Sequence, residues 1–457
     1  MNHSPWIAQL SRIRPADTIT SNSTTEVAIV GGGIAGVTSA YFLLTRTDKK
    51  VLIIEAGKIA HGATGHNAGQ ITSYFEMPFT EMVEKFGVER AAYAQKVINE
   101  DARVLLEEIV SHAGIQTPFS QFVGYDGWTQ ESQIVTELQN LALEAEAGLT
   151  VRPIMIAREW IAEHPIPHNY SHLYQIVSHA DILSALQTSD KKYIAVTPFL
   201  SGCMNSALFS EELVGYLLRT YPERFSLYEH APVHGVHLHK DQVVLDVRTY
   251  HVYAQYVVLC TNGFETLSIY EGEEKTVIDS TYHRNVEGVI GFMAAYLEPA
   301  RKQPFTGSYN GFSSSIGHII TDSYDLAEPY FYVTRRPYDR GVHTELNLLS
   351  VGGPDRRLPE GDRYDPAMPY PRAIRRIMES FAKQTYDFNR PFDFYWHGLM
   401  GYTATRFRII GHDPKQHRLL YNLGCNGVGI LPSIYGSHRI SRLLNNESVE
   451  PTIFDPQ

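Results

Sequence analysis

The run Glu26 to Val30 is β-branched and apolar, and it leads directly into Gly31-Gly32-Gly33-Ile34-Ala35-Gly36. The chain then continues as an apolar, helix-compatible stretch from Val37 to Thr45, so strand, glycine turn and helix follow one another without a break. A second apolar strand, Val51-Leu52-Ile53-Ile54, ends on Glu55, nineteen residues after Gly36. These segments predict a βαβ unit of about thirty residues, the span of a dinucleotide-binding module. The three glycines do different things. Gly31 makes the tight turn, Gly33 lets the backbone approach a pyrophosphate, and Gly36 allows close packing of helix on strand. The helix opening at Ile34 and Ala35 turns its free N–H groups and positive dipole end towards the phosphates. Glu55, followed by Ala56, is placed to accept hydrogen bonds from ribose hydroxyls, and its charge disfavours a 2′-phosphate and hence NADP. The strand before, the helix after and the acid at the right distance argue against a chance glycine turn. The motif by itself does not separate FAD from NAD.

The chain has 457 residues, 43% of them hydrophobic, enough for one large or two medium domains with buried cores. With 39 Lys and Arg against 50 Asp and Glu, the net charge of −11 gives no general basic face, and no nucleic-acid partner is expected. Cys203, Cys260 and Cys425 are odd in number and far apart, which predicts neither a disulfide framework nor a CxxC metal site and suits a reducing compartment. The start, Met1-Asn2-His3-Ser4-Pro5-Trp6, lacks the basic and apolar regions of a secretory signal, and the apolar stretch Val286 to Leu297 is too short to span a bilayer. No transmembrane segment and a cytoplasmic location are therefore expected.

Beyond Pro78 the periodicity becomes helical, with Tyr93, Val97, Val104, Leu105 and Ile109 assigned to one face and a stop at Gly114. A second helix is predicted over Ser132 to Ala147, where Ile134, Leu138, Leu141 and Ala145 recur and Gly148 supplies the cap. β-rich segments return at His230 to Tyr250, and at Tyr253 to Cys260, which ends in Thr261-Asn262-Gly263. Another β-rich block, Val286 to Leu297 and Pro329 to Gly353, holds Tyr330, Phe331, Tyr332 and Tyr338 and suits the wall of a pocket. The last segment, from Trp396 to Leu444, contains Gly424-Cys425-Asn426-Gly427-Val428-Gly429-Ile430 before an amphipathic stretch. The Ser- and Thr-rich first two dozen residues read as a loosely held arm.

The loop Gly62-Ala63-Thr64-Gly65-His66-Asn67-Ala68-Gly69-Gln70 is nearly all small or polar and follows the second strand, so it can press against a flat ring system. With the glycine turn, it resembles the D-amino-acid oxidase superfamily of flavoproteins. The resemblance extends to the Thr261-Asn262-Gly263 turn and to the loop Gly424 to Ile430. Within the superfamily, Trp396-His397-Gly398-Leu399, Thr403 and Arg406 are most similar to the gamma-glutamylputrescine oxidase-like branch. The resemblance implies an α/β chain, α+β overall, in which a Rossmann-like FAD-binding domain is interleaved with a mixed β-sheet substrate domain. The expected division is an arm at 1–24, an FAD-binding domain from 25–78, 200–275 and 396–457, and a substrate domain from 79–199 and 276–395. It also implies FAD as cofactor, Val233 on the adenine side, and Gly398 with the Gly427 to Ile430 backbone beside the isoalloxazine.

The reaction implied is hydride transfer to flavin from a carbon bearing an amine nitrogen, giving an imine that water hydrolyses. Its partners would be a small amine or modified amino acid and an electron acceptor, either oxygen or another carrier. His66 stands where dimethylglycine dehydrogenase-like relatives join a histidine covalently to FAD, although an ordinary hydrogen bond beside the ring is the reading favoured here. Met400 takes the place of the cysteine that carries FAD in sarcosine oxidase-like relatives and of the carboxylate-binding arginine of D-amino-acid and glycine oxidases. A methionine cannot clamp a carboxylate, which makes a free α-amino acid a weaker candidate than an amine. Arg284, Arg335, Arg336, Arg406 and Arg408 remain candidates for a displaced anion site or for plain surface charges, and Arg408 replaces a proline usual in the family. Tyr330, Tyr332 and Tyr402 are pocket-wall candidates, with core packing as the alternative reading. His397 is a candidate for assisting amine deprotonation, with a packed neutral histidine as the alternative. A hydroxy-compound dehydrogenase and a flavin-binding protein without turnover stay open as other functions.

Overall fold

All four residues of strand Val27–Val30 are buried, because the strand lies inside a sheet with neighbours on both sides. That sheet runs Ile409–His412, Leu419–Leu423, Tyr256–Leu259, Val27–Val30, Val51–Ile54, Phe225–Tyr228. Its pairings are parallel except at the edge strand Ile409–His412. Near-continuous apolar strands suit such a sheet because both of its faces are covered. One face is packed by helices Ile34–Arg46, Ser206–Thr220 and Ile430–Leu444. The other meets a second six-stranded sheet that contains Val233–Leu238, Val243–Val247 and Tyr250–Ala254. In this computed structural model the described residues are 2–11, 14–264, 267–272, 276, 277, 282, 285–310, 330–338, 346–359 and 361–456.

A nine-stranded mixed sheet forms the other half of the architecture among the described residues, in the order Phe394–Thr403, Val286–Pro299, Leu346–Arg357, Phe331–Tyr338, Phe305–Tyr309, Phe119–Trp128, Ala195–Met204, Ile154–Ala157, Tyr174–Val177. Helix Arg372–Tyr386 covers it through Ile374, Ile377, Met378 and Phe381, all buried. The α/β, α+β architecture with a Rossmann-like unit is thus present. The membership of two segments differs from the expected division. Strand Phe394–Thr403 pairs with Val286–Pro299 and so belongs to the nine-stranded sheet, and helices over 79–112 pack their apolar faces on the nucleotide-side core. Their sequence is strongly amphipathic, and sequence periodicity does not say which core an apolar face will meet.

The helical face predicted beyond Pro78 is also corrected. Tyr93 and Val104 are exposed, whereas Ala91, Ala94, Ile98, Ala102 and Leu106 join Val97, Leu105 and Ile109 in the core. A π-helical turn at Val97–Asp101 shifts the phase between Val88–Lys96 and Ala102–His112, so one 3.6-residue period does not fit the whole run. Helix Glu131–Glu146 does bury Ile134, Leu138 and Leu141, and Gly148 sits at φ +78 after it.

The N-terminal segment is not loosely held. Trp6 is fully buried and packs 5.3 Å from the ring of Trp396. Asn2 pairs with both the N–H and the carbonyl of His397, and Arg14 bridges Glu211 and the buried Glu229. Ser23–Thr24 adds a parallel strand to Tyr250–Ala254. Polar composition suggested an arm, but the triplet Pro5-Trp6-Ile7 carries enough apolar surface to dock it.

Candidate functional site

A cavity of about 950 Å³ runs between the nucleotide-side sheet and the nine-stranded sheet. At one end its wall is Gly31 to Ala35, Glu55, Ala56 and Val233. The loop 62–70 contributes all but Gly65, then Thr261 and Asn262 follow, and the far end is closed by Gly398, Leu399, Met400 and Gly427 to Ile430. Close backbone contacts set this shape. A Cβ on Gly36 would lie 1.9 Å from the carbonyl oxygen of Gly31, so only glycine lets the helix rise so near the turn. A Cβ on Gly398 would lie 2.6 Å from the His66 carbonyl oxygen, and one on Gly401 would lie 2.5 Å from that of Asn262. Strand Phe394–Thr403 therefore lies directly against both the small-residue loop and the Thr-Asn-Gly turn.

Beyond the glycine loop the cavity widens into a chamber walled by Tyr74, Glu76, Asp126, Trp128, Met293, Ser308, Asn310, Tyr330, Tyr332, Asp355 and Tyr402. The Tyr402 hydroxyl donates to Glu76 Oε2 at 2.8 Å. Glu76 faces the cavity with protein around it, and this desolvation lifts its carboxyl to about 7; the Tyr402 hydrogen bond and Arg406 oppose the rise, and Asp355 adds to it. Burial raises Asp126 to about 7 as well, against a hydrogen bond from Ser308. Among the described residues Arg408 is the only Arg or Lys on the cavity wall, and its guanidinium is turned to Asn422 and the carbonyls of Asn422 and Gly424.

A family model described as DAO, FAD dependent oxidoreductase, matches residues 26–190. Over those residues the chain is similar to the DAO family. Gamma-glutamylputrescine oxidoreductase of Escherichia coli (strain K12) is 28% identical over 104 residues, 23% of this chain and 24% of the relative. YhfW of Bacillus subtilis (strain 168), named for a Rieske 2Fe-2S iron-sulfur centre, is 30% identical over 142 residues, 31% of this chain and 26% of the relative. The matched stretch thus spans about a quarter of the length of either curated relative. The fold of the whole chain is that of DAO-type structures. L-proline dehydrogenase from P. horikoshii superposes with a TM-score of 0.64 at 16% identity, covering 95% of this chain and 97% of that one. Glycine oxidase from Geobacillus kaustophilus does so with a TM-score of 0.63 at 16% identity, covering 95% and 99%.

The matched family model is one of FAD-dependent oxidoreductases, and the cavity fits that cofactor. Two helix N-termini, at Gly33 and Gly429, open onto it; neither N-cap glycine has a side chain to cap with, and at the first the Ile34 N–H donates to the Thr64 hydroxyl at 2.9 Å, leaving the following N–H groups for phosphate and ring oxygens. The Thr261 hydroxyl is buried on the cavity wall with no protein partner. Glu55 is more committed than its spacing suggested, since its carboxylate already accepts from the N–H groups of Gly32 and Gly57, both at 2.7 Å. Burial raises its pKa, and those two bonds oppose the rise. A carboxylate has about four acceptor positions, which leaves room for ribose hydroxyls.

Most residues named from the DAO resemblance line the cavity, but five do not. Gly36, Gly263, Gly424 and Asn426 stand behind its wall; Asn426 accepts from the Thr403 N–H, and a Cβ on Gly263 would strike Val286. His397 is the clear correction. It is fully buried on the far side of its strand, Nδ1 bonded to the Tyr364 hydroxyl and Nε2 to the Met368 carbonyl, with its pKa lowered by desolvation. A ring locked by two protein partners away from the cavity has no access to a substrate amine. His66 does face the cavity, its Nδ1 3.0 Å from the Gly62 carbonyl, and desolvation lowers its pKa. Of the arginine candidates, Arg335 pairs with Glu298 and Gln187, Arg336 with Gln9, and Arg406 lies over the Tyr402 ring. Arg284 is outside the described residues. Sequence reasoning missed Tyr74, Glu76, Asp126, Ser308 and Asp355, which come from a loop and three strands distant in the chain; no motif spacing marks them.

Proposed function

We propose that this chain oxidises a carbon–nitrogen bond of a small amine. FAD, when bound along the cavity, supplies the hydride acceptor. The pyrophosphate is assigned to Gly31, Gly33, Ile34 and Ala35, the ribose to Glu55 and Ala56, and the adenine side to Val233. Thr261 and Asn262 would contact the middle of the cofactor. The ring end is assigned to the loop 62–70 with Gly398 and to Gly427, Val428, Gly429 and Ile430, whose N–H groups would stabilise negative charge on the reduced pyrimidine edge. Gly36, Gly263, Gly424 and Asn426 hold that cradle from behind.

The chamber chemistry carries the reading: carboxylates and aromatic faces surround the space beside the glycine loop, and the Arg408 guanidinium on the cavity wall is spent on protein carbonyls and Asn422. Such a wall attracts an ammonium ion and offers a carboxylate no uncommitted Arg or Lys among the described residues. Hydride leaves only when the amine nitrogen has a free lone pair. Glu76 would accept the ammonium proton at its carboxylate, oriented for this by the Tyr402 hydroxyl. Tyr330, Tyr332 and Tyr402 would exclude water and hold the alkyl chain against the cofactor. With FAD bound as hydride acceptor, the substrate would give one proton to Glu76, and the imine formed on oxidation would take up water and release ammonia or an amine together with a carbonyl compound.

Purified yellow protein mixed without oxygen with polyamines, N-methyl amino acids and D-amino acids tests this. Bleaching of the flavin by any amine class supports the proposal. Bleaching by hydroxy acids or glycerol phosphates alone, or by nothing in either set, overturns it. Oxygen consumption during turnover then tells an oxidase from an enzyme that passes electrons to another carrier.

A further inference from the structure

The chamber's charged groups are not gathered at one point. Glu76 lies against the glycine loop, so near that a Cβ on Gly427 would come within 1.7 Å of its Oε1. Asp126 comes from strand Phe119–Trp128, and Tyr74 interacts electrostatically with both carboxylates. Ser308 pairs in register with Asp126 on the neighbouring strand, and Trp128 and Asn310 also line the cavity. Across the nine-stranded sheet Asp126 registers with Ser308 and Ser308 with Tyr332, whereas Glu76 is bonded to Tyr402 on the edge strand Phe394–Thr403, so the two carboxylates enter the chamber at different strands; Tyr74, Tyr330 and Tyr332 line the same chamber, and such aromatic faces pack an alkyl chain well and hydrogen-bond it poorly.

We infer that the substrate is an aliphatic amine with cationic nitrogens at both ends and no carboxylate, its reacting nitrogen held at Glu76 and its distal ammonium at Asp126. The inference rests on the amine-oxidation reading above and adds the substrate class to it. Glu76 is exposed to the cavity and Asp126 half-buried on its wall, and an ammonium ion beside either favours its ionised form, so each acid selects for a positive charge at its own end. A carboxylate at either end of the substrate would face Glu76 or Asp126 with like charge and would find no free guanidinium among the described residues of the wall. Asp126 is in this account a specificity residue, since it would touch the substrate far from the carbon that reacts.

The test uses holoenzyme and three probes of matched length: 1,4-diaminobutane, n-butylamine and 4-aminobutyrate. Anaerobic bleaching of the flavin gives kcat/KM for each, and perturbation of the flavin spectrum by unreactive bis-quaternary diamines, which have no nitrogen lone pair, gives binding without turnover. The diamine is expected to exceed butylamine by about tenfold or more, the factor worth about 1.4 kcal/mol, and to exceed 4-aminobutyrate further. Asp126→Asn should cut the diamine-over-monoamine ratio about tenfold, and Asp126→Glu should restore part of it. Because the readout is a ratio, a general loss of folded protein does not move it. A ratio near one in the wild type, a ratio unchanged by Asp126→Asn, or preference for 4-aminobutyrate overturns the inference. If amino acids bleach the flavin and diamines do not, the substrate class falls while amine oxidation stands; if no amine bleaches it, both fall.

Discussion

At Gly36 the contact with the Gly31 carbonyl involves backbone on both sides, so neither atom has a side-chain rotation with which to yield. Gly36→Ala is expected to cost about 1–3 kcal/mol of stability through overpacking and to lower the flavin-to-protein ratio of purified enzyme about tenfold or more, read from absorbance. Glu76 gives a pH signature. Its folded carboxyl sits at about 7 against 4.5 unfolded, with Tyr402, Asp355, Arg406, Tyr74, Tyr330 and Tyr332 as the facing titratable or charged groups. A raised folded value means that its contribution to stability is whole below 4.5 and is lost as pH rises through about 7. Asp126 and Glu144, both raised to about 7 by burial, act in the same sense. Glu76→Gln should therefore shrink, without abolishing, the fall in Tm between pH 5 and 7.5 measured by scanning calorimetry. Holding an ammonium needs the ionised form, so KM for an amine should rise as pH drops below about 7 in the wild type. His66 engages the Gly62 carbonyl through Nδ1, an ordinary hydrogen bond, and acid precipitation is expected to leave the flavin in the supernatant and the pellet colourless.

Two elements had their roles decided by neighbours that the sequence does not name. Strand Phe394–Thr403 pairs into the nine-stranded sheet, yet Gly398 and Gly401 press it onto two cofactor-side loops. It joins the two halves of the molecule at the cavity, and its glycines make that close approach sterically possible. The segment at the N-terminus behaves similarly, because Trp6 fills space between Trp396 and Gly69 while Asn2 ties off the His397 backbone. Trp6→Ala is expected to destabilise the protein by about 3–5 kcal/mol, as truncation of a buried indole does, and to free the loop 62–70. Limited proteolysis should then cut within 62–70 in the variant and leave the wild type intact there. The amphipathic helices over 79–112 were legible as helices, but their phase was not, since the π-helical turn at Val97–Asp101 changes which residues face inward.

For the molecule as a whole, FAD lying along the contact between the two large sheets should make stability depend on its concentration. Free FAD at about a hundredfold above its dissociation constant stabilises by about 2.7 kcal/mol if it binds only the folded chain. Flavin-stripped protein titrated with FAD should show Tm rising with the logarithm of concentration, and a flat Tm would deny that the cavity binds it. The sequence by itself determined the βαβ unit with its glycine turn and acid: Gly31, Gly33, Gly36 and Glu55 are close in the chain, and steric and hydrogen-bonding demands on so short a unit are local. The DAO-like loop 62–70 and the aromatic residues Tyr330, Tyr332 and Tyr402 were likewise visible as candidates, and all three tyrosines reach the cavity. Tertiary structure alone decided the chamber. Asp126, Ser308 and Asp355 line one chamber only because strands far apart in sequence join one sheet, Glu76 reaches it from a loop, and His397 is turned away because its strand presents alternate side chains to opposite faces. Local chemistry writes a phosphate site into consecutive residues, whereas a substrate site built from several strands exists only once register and pairing are fixed.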